Sequence, residues 1–139
     1  MADMHQNRQL KKTLVESVEQ VLKKTILVVD DDPVAVEDLI GRLEKSYEVL
    51  TACDGLKAVY IYERHNDRIA AAIVKLKIPR LDGCAVSDWV HHKNPKLPVI
   101  LLDNKKARAL QLEVAHNSTH FLSIPLAPFR IECVLREVL

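Results

Sequence analysis

Asp30, Asp31 and Asp32 stand in a row directly after the apolar run Ile26-Leu27-Val28-Val29. Carboxylates gathered this closely repel one another and raise a pKa unless a cation relieves them. Other reactive residue types are arranged less suggestively. Cys53, Cys84 and Cys133 are odd in number and far apart, with no CxxC pair and no zinc-ligand spacing, so they are expected to be reduced and mostly buried small hydrophobes. Gly41, Gly55 and Gly83 are the only glycines, which excludes a GxGxxG fingerprint and a phosphate-cradling GxxxxGK loop. His91-His92-Lys93 ends a helical stretch, where cationic side chains suit the helix dipole better than they suit phosphotransfer.

The elements that must hold the aspartates follow from apolar periodicity. Ile26–Val29 is β-branched or apolar at every position, as in a parallel strand covered on both faces. Asp32 caps and Pro33 opens a helix whose buried stripe is Val36, Leu39, Ile40 and Leu43, ending near Ser46. The same unit recurs: strand Glu48–Ala52 with helix Leu56–Arg64, strand Ala70–Val74 with helix Cys84–His92, strand Val99–Leu102 with helix Lys105–Ala115, and strand His120–Ser123 with helix Phe129–Val138. Five strands alternating with helices require right-handed crossovers and an α/β doubly wound parallel sheet. The expected strand order is the flavodoxin-like 2-1-3-4-5, with functional groups at the carboxyl ends of the strands. Ahead of this unit, residues 1–24 form an amphipathic extension in which Leu10, Leu14, Val15, Val18, Val21 and Leu22 recur at helical spacing between Lys11, Lys12, Glu16, Glu19, Lys23 and Lys24. That stripe is expected to be buried, either on the domain or on a second copy, because a short helix alone is marginal in water.

Composition bounds the partners. The 139 residues carry 20 Lys and Arg against 19 Asp and Glu, so a formal charge of +1 gives no global attraction to nucleic acid or to an anionic membrane. One Trp, three Tyr and two Phe offer few stacking platforms, and no helix-turn-helix is visible. No apolar run reaches the roughly 18 residues of a membrane span, and Met1–Gln9 is not signal-like. One domain of about this length, in the cytoplasm, is expected.

Four segments stand in order and spacing: ILVVDDDP at Ile26–Pro33, KIPRLDG at Lys77–Gly83, PVILL at Pro98–Leu102 and FLSIPL at Phe121–Leu126. Together they resemble the receiver domain of two-component response regulators, over roughly residues 25–139. The resemblance implies a phosphoacceptor aspartate after the third strand and an acidic pair after the first that helps hold magnesium. It also implies a Ser or Thr after the fourth strand, a Lys after the fifth, and a switch aromatic on the fifth. Asp30 and Asp31 match the acidic pair, and Phe121 matches the switch aromatic. Pro79, Asp82, Gly83 and Pro125 match the framework, with Ile124-Pro125 at a bond that is usually cis in the family. The phosphoacceptor position is Lys75, the Ser/Thr position is Asp103 and the lysine position is Ile124.

An ammonium at Lys75 forms no acyl phosphate, and Ile124 offers no charge to a phosphoryl oxygen. Asp30, Asp31, Asp103 and Lys75 together keep the formal charge that the family pocket has, with the lysine moved from the fifth strand to the third. The expectation is a salt-bridged pocket in which Lys75 stands near the metal's place, with magnesium bound weakly at Asp30 and Asp31 or not at all. The implied function is that of a pseudo-receiver: not an enzyme, without cofactor, working by protein–protein contact. Its expected contact face is 105–115 with 121–138, made basic by Lys105, Lys106, Arg108, Arg130 and Arg136 and suited to an acidic protein partner. Alternatives are a receiver phosphorylated by unusual chemistry or sensing a small ligand, and an oligomerisation module, for instance a homodimer, serving an output domain.

Overall fold

The computed structural model describes residues 4–104 and 118–139. The expected helix over 105–115 lies outside them. Five parallel strands form one sheet in the order β2-β1-β3-β4-β5. They are β1 (Lys24–Val29), β2 (Tyr47–Ala52), β3 (Ile69–Lys75), β4 (Val99–Asp103) and β5 (Thr119–Ser123). The central position of β1 between β2 and β3 explains its unbroken apolar run, since Ile26 to Val29 are exposed by no more than 1%.

Alternation along each strand divides the core in two. Ile26, Val28, Ile73, Ile100 and Leu102 pack on one face with α2 (Pro33–Leu43) and α5 (Arg130–Val138), through Leu39, Leu43, Ile131, Val134 and Leu135. Leu27, Val29, Val74, Val99 and Leu101 pack on the other with α3 (Gly55–His65) and α4 (Gly83–Lys93), through Ala58, Tyr62, Val86 and Val90. Trp89 is half-buried there, edge-on to Tyr62 at 5.7 Å between ring centroids. Each of these leucines contributes about 1.5–3 kcal/mol through burial.

Three helices that rise from the strands' carboxyl ends are capped by aspartate. Asp32 accepts from the Val34 amide with Pro33 at the first helical position, Asp54 from Lys57, and Asp82 from Ala85. The last helix is different: Phe129 precedes it at φ 61° with no side-chain cap.

One expectation is narrowed and one is corrected. The extension does form a helix, α1 (Met4–Leu22), but the domain does not cover its stripe: Leu10, Leu14, Val15, Val18 and Leu22 are all more than half exposed. Only Lys23 separates α1 from β1, and a one-residue link is too short for the helix to fold back onto the sheet. The cysteines form no disulfide among the described residues, yet Cys53 and Cys133 are exposed and Cys84 is half-buried. Cys53 lies in the loop that leaves β2, and Cys133 falls between the inward-facing Ile131 and Val134 of α5. No described helix is long and apolar enough to cross a membrane.

Candidate functional site

The carboxyl ends of β1 and β3 bring Asp30, Asp31 and Lys75 together. Asp30 continues the β1 ladder by donating its amide to Ala52 O at 3.1 Å, which fixes its side chain over the sheet edge. Its residue is 6% exposed, and its Oδ1 accepts the Asp32 amide at 2.9 Å. Asp31 is turned outward. Lys75 is the last residue of β3, and its Nζ donates to Asp31 Oδ1 at 3.1 Å while standing 3.7 Å from Asp30 Oδ1.

The loop after Lys75 is held by main-chain bonds. Leu76 N donates to Leu102 O and Gly83 N donates to Leu76 O, each at 2.8 Å. A Cβ on Gly83 would lie 2.6 Å from Lys75 O and 2.8 Å from Leu76 Cα, so only glycine lets α4 start this close to Lys75. Arg80, at φ 71°, makes the sharp turn that returns the loop to Asp82.

Charge and burial act in opposite directions on the cluster. Burial raises the Asp30 pKa above its ordinary value of 3.8, opposed by the Asp32 amide and by Lys75. Lys75 titrates above its ordinary 10.5, chiefly through its hydrogen bond to Asp31, with Asp30 adding to the effect. The ammonium is therefore charged throughout the physiological range.

Of the other residues singled out from sequence, Ile124 joins this cluster at the wall of a cleft of about 270 Å³, together with Asp30, Lys75, Leu102 and Pro125. The Ile124–Pro125 peptide is cis. Phe121 is half-buried against the core face that holds Leu101. Asp103 is not brought to Lys75, and no ion pair joins the two among the described residues. Register explains the separation. Lys75 pairs with Leu102, whose side chain lies on the α2 face, and the next residue is turned to the opposite face. Asp103 is 4% exposed, accepts the Asn104 amide at Oδ1, and leaves Oδ2 without a hydrogen-bond partner among the described residues. The expected four-membered pocket is thus a three-membered one with a separate buried acid.

Sequence reading also missed two charged residues of the cleft, Asp38 and Arg42. Arg42 enters it from α2, bonded through Nε to Asp38 Oδ2 at 3.2 Å. Their i, i+4 spacing was the signal, but it reads equally as an ordinary solvated pair. For a divalent cation the donor set is poor. Two carboxylates converge, an ammonium is directed at both, and no group of three or more potential ligands forms among the described residues.

Comparison with known proteins agrees with this architecture. The response regulator GtcR of Aneurinibacillus migulanus is 33% identical over 122 residues, covering 84% of this chain and 49% of its own. The alkaline phosphatase synthesis transcriptional regulatory protein PhoP of Bacillus subtilis is 27% identical, covering 85% and 49%. The chain spans about half the length of these curated relatives. A solved chemotaxis protein of Vibrio cholerae superposes with a TM-score of 0.76 at 24% identity, covering 84% of this chain and 99% of that one, which speaks to the fold. The response regulator receiver domain model matches residues 26–128, most of the chain. A five-stranded sheet in this order, with an acidic pair at the end of β1 and that match across it, makes the chain a member of the response regulator receiver domain family of two-component signal transduction.

Proposed function

We propose that this receiver domain signals without accepting a phosphoryl group, with Lys75 as a built-in countercharge for Asp30 and Asp31. The observation that carries the reading is the placement of Lys75 Nζ, 3.1 Å from Asp31 and 3.7 Å from Asp30. An ammonium there offsets the repulsion that a bound cation otherwise offsets, and it repels that cation. Magnesium then binds weakly or not at all, and the pocket has one charge state instead of two.

A domain of this kind acts through contact with other proteins in the cytoplasm rather than by catalysis. The face formed by β5 and α5 carries Arg130 and Arg136, both exposed, and suits an acidic partner. The remainder of the expected face, 105–115, lies outside the described residues. Any output activity of a longer protein would be set by how that contact is made.

Incubation with acetyl phosphate and Mg²⁺, followed by intact mass measurement, tests the reading. The expected result is no added phosphoryl mass. A stoichiometric, hydroxylamine-sensitive adduct on an aspartate overturns it.

A further inference from the structure

The stripe of α1 that the domain leaves uncovered is its own complement. Leu10, Leu14, Val15, Val18 and Leu22 are each between 55% and 74% exposed, on a helix of 19 residues. When two antiparallel copies of the helix cross at Glu16, Leu10 of each stands level with Leu22 of the other, and Leu14 with Val18. The apolar stripe then maps onto itself, as a two-fold interface requires of a surface that meets its own copy. Closing that seam removes up to roughly 1,000 Å² of apolar side chain from water over both copies, the size at which a specific interface begins.

Charge along α1 obeys the same symmetry. Glu19 follows Lys12 by about two helical turns, so the two positions share one flank of the stripe. Antiparallel pairing sets like flanks against each other, and the crossing at Glu16 brings Lys12 of each copy to within one residue of the level of Glu19 in the other, about 1.5 Å along the axis. Two Lys–Glu pairs result, one on each side of the crossing. Lys11 precedes Val18 by the same two turns and lies on the stripe itself. Parallel, in-register pairing sets Lys11 against its own copy, whereas the antiparallel crossing holds the two about 15 Å apart along the axis. The lysines at the foot of the helix are engaged elsewhere: Lys23 donates to Glu44 O at 3.2 Å and Lys24 to Leu139 O at 3.1 Å, both on the domain.

We infer that α1 is a dimerisation helix that pairs antiparallel with α1 of a second copy of this chain. A uniformly acidic helix or an anionic lipid surface satisfies Lys11 and Lys12 but sets negative charge against Glu19, whereas the second copy offers each sign its opposite. The one-residue link at Lys23 keeps the helix off its own sheet and presents the stripe to that copy. The helix joins the sheet at the amino end of β1, and Lys75 ends β3 at the other side, so the pairing stands independently of the pocket's chemistry.

Sedimentation equilibrium of the whole chain tests the pairing, and the expected result is a dimer. Leu14→Ser with Val18→Ser should weaken association about tenfold or more, and cooperative melting of that variant shows that the loss is not one of folding. Lys12→Glu and Glu19→Lys, each alone, should also weaken it about tenfold. Mixing these two variants in equal amounts should restore the dimer, because each chain then meets the opposite charge on the other, a recovery that a merely structural role for either residue does not give. A chain that stays monomeric at about millimolar concentration overturns the inference, in favour of a lipid surface if it floats with phosphatidylglycerol vesicles and of an unlike helix if it does not. A dimer that Leu14→Ser with Val18→Ser leaves intact overturns it, as do charge variants that fail to recover on mixing.

Discussion

Lys75 bonds at 3.1 Å to Asp31, the exposed carboxylate, and stands farther, at 3.7 Å, from Asp30, the buried one. The group in greater need of a countercharge receives the weaker contact, and burial prevails in raising the Asp30 pKa. A carboxyl with a raised folded pKa lowers stability as pH rises, because the unfolded chain releases its proton first. Asp30→Asn, which keeps the acceptor for the Asp32 amide, should therefore gain stability relative to wild type as pH climbs from 3.8 through the raised midpoint, then hold level. Carboxyl NMR titration checks it. A midpoint for Asp30 at or below 3.8 contradicts the assignment, and Lys75→Ala should move that midpoint further up.

Replacing Lys75 changes the response to magnesium. Thermal midpoints of wild type, Lys75→Ala and Lys75→Asp across a Mg²⁺ titration should rise least for wild type and most for Lys75→Asp, which adds a third oxygen donor and removes the ammonium. Without the ion, Lys75→Asp should melt lowest. Equal stabilisation of all three proteins means that Lys75 does not compete with the cation.

Glu48 and Arg68 bridge β2 and the turn before β3 at 2.7 Å, and the hydrogen bond from Arg68 holds the Glu48 pKa below its ordinary 4.5. A depressed carboxyl pKa supplies stability above 4.5 that is lost as pH falls through the folded value. Arg68→Ala should therefore narrow its deficit from wild type in acid melts below about pH 4. A deficit that stays constant down to pH 2 means that the pair does not titrate as placed.

Two glycine-to-alanine changes should have opposite signs. Gly41→Ala, on the exposed side of α2 with nothing within 4 Å of the added Cβ, should stabilise by about 0.5–1 kcal/mol. Gly83→Ala forces the start of α4 away from Lys75 O and should cost about 1–3 kcal/mol. Urea unfolding of both variants decides it, and a neutral Gly83→Ala would mean that the loop after Lys75 is slack.

Phe129 is exposed at φ 61°, a conformation that costs a bulky residue of order 1 kcal/mol. Phe129→Gly should raise the thermal midpoint correspondingly. A fall in the midpoint would mean that the ring contributes more than the backbone strain removes.

Local chemistry made much of this fold legible. Asp32-Pro33 and Asp82-Gly83 mark helix starts by capping geometry alone, and the fully apolar Ile26–Val29 is what a doubly covered strand demands. Lys75 was visible because a strand end and a framework proline fix its position. Asp103 misled because side-chain direction depends on register, and a shift of one residue along β4 separates it from the lysine. The α1 stripe left its cover open because periodicity states that a face is apolar but not what lies against it, and the length of the link to β1 excludes only the domain itself. Asp38 and Arg42 carried no distinguishing signal, since their closeness to Lys75 arises only when α2 packs over the sheet.

The single residue between α1 and β1 also gives the molecule a mechanical character. A pull along α1 reaches the central strand of the sheet with almost no slack to absorb it. Because β1 is bonded along its length to both β2 and β3, the load falls on two ladders in shear, where many bonds share it at once instead of parting one after another. Whatever grips the helix therefore holds the rigid middle of the domain, and a twist applied at Leu10 arrives at Asp30 as a torque on the strand that carries it.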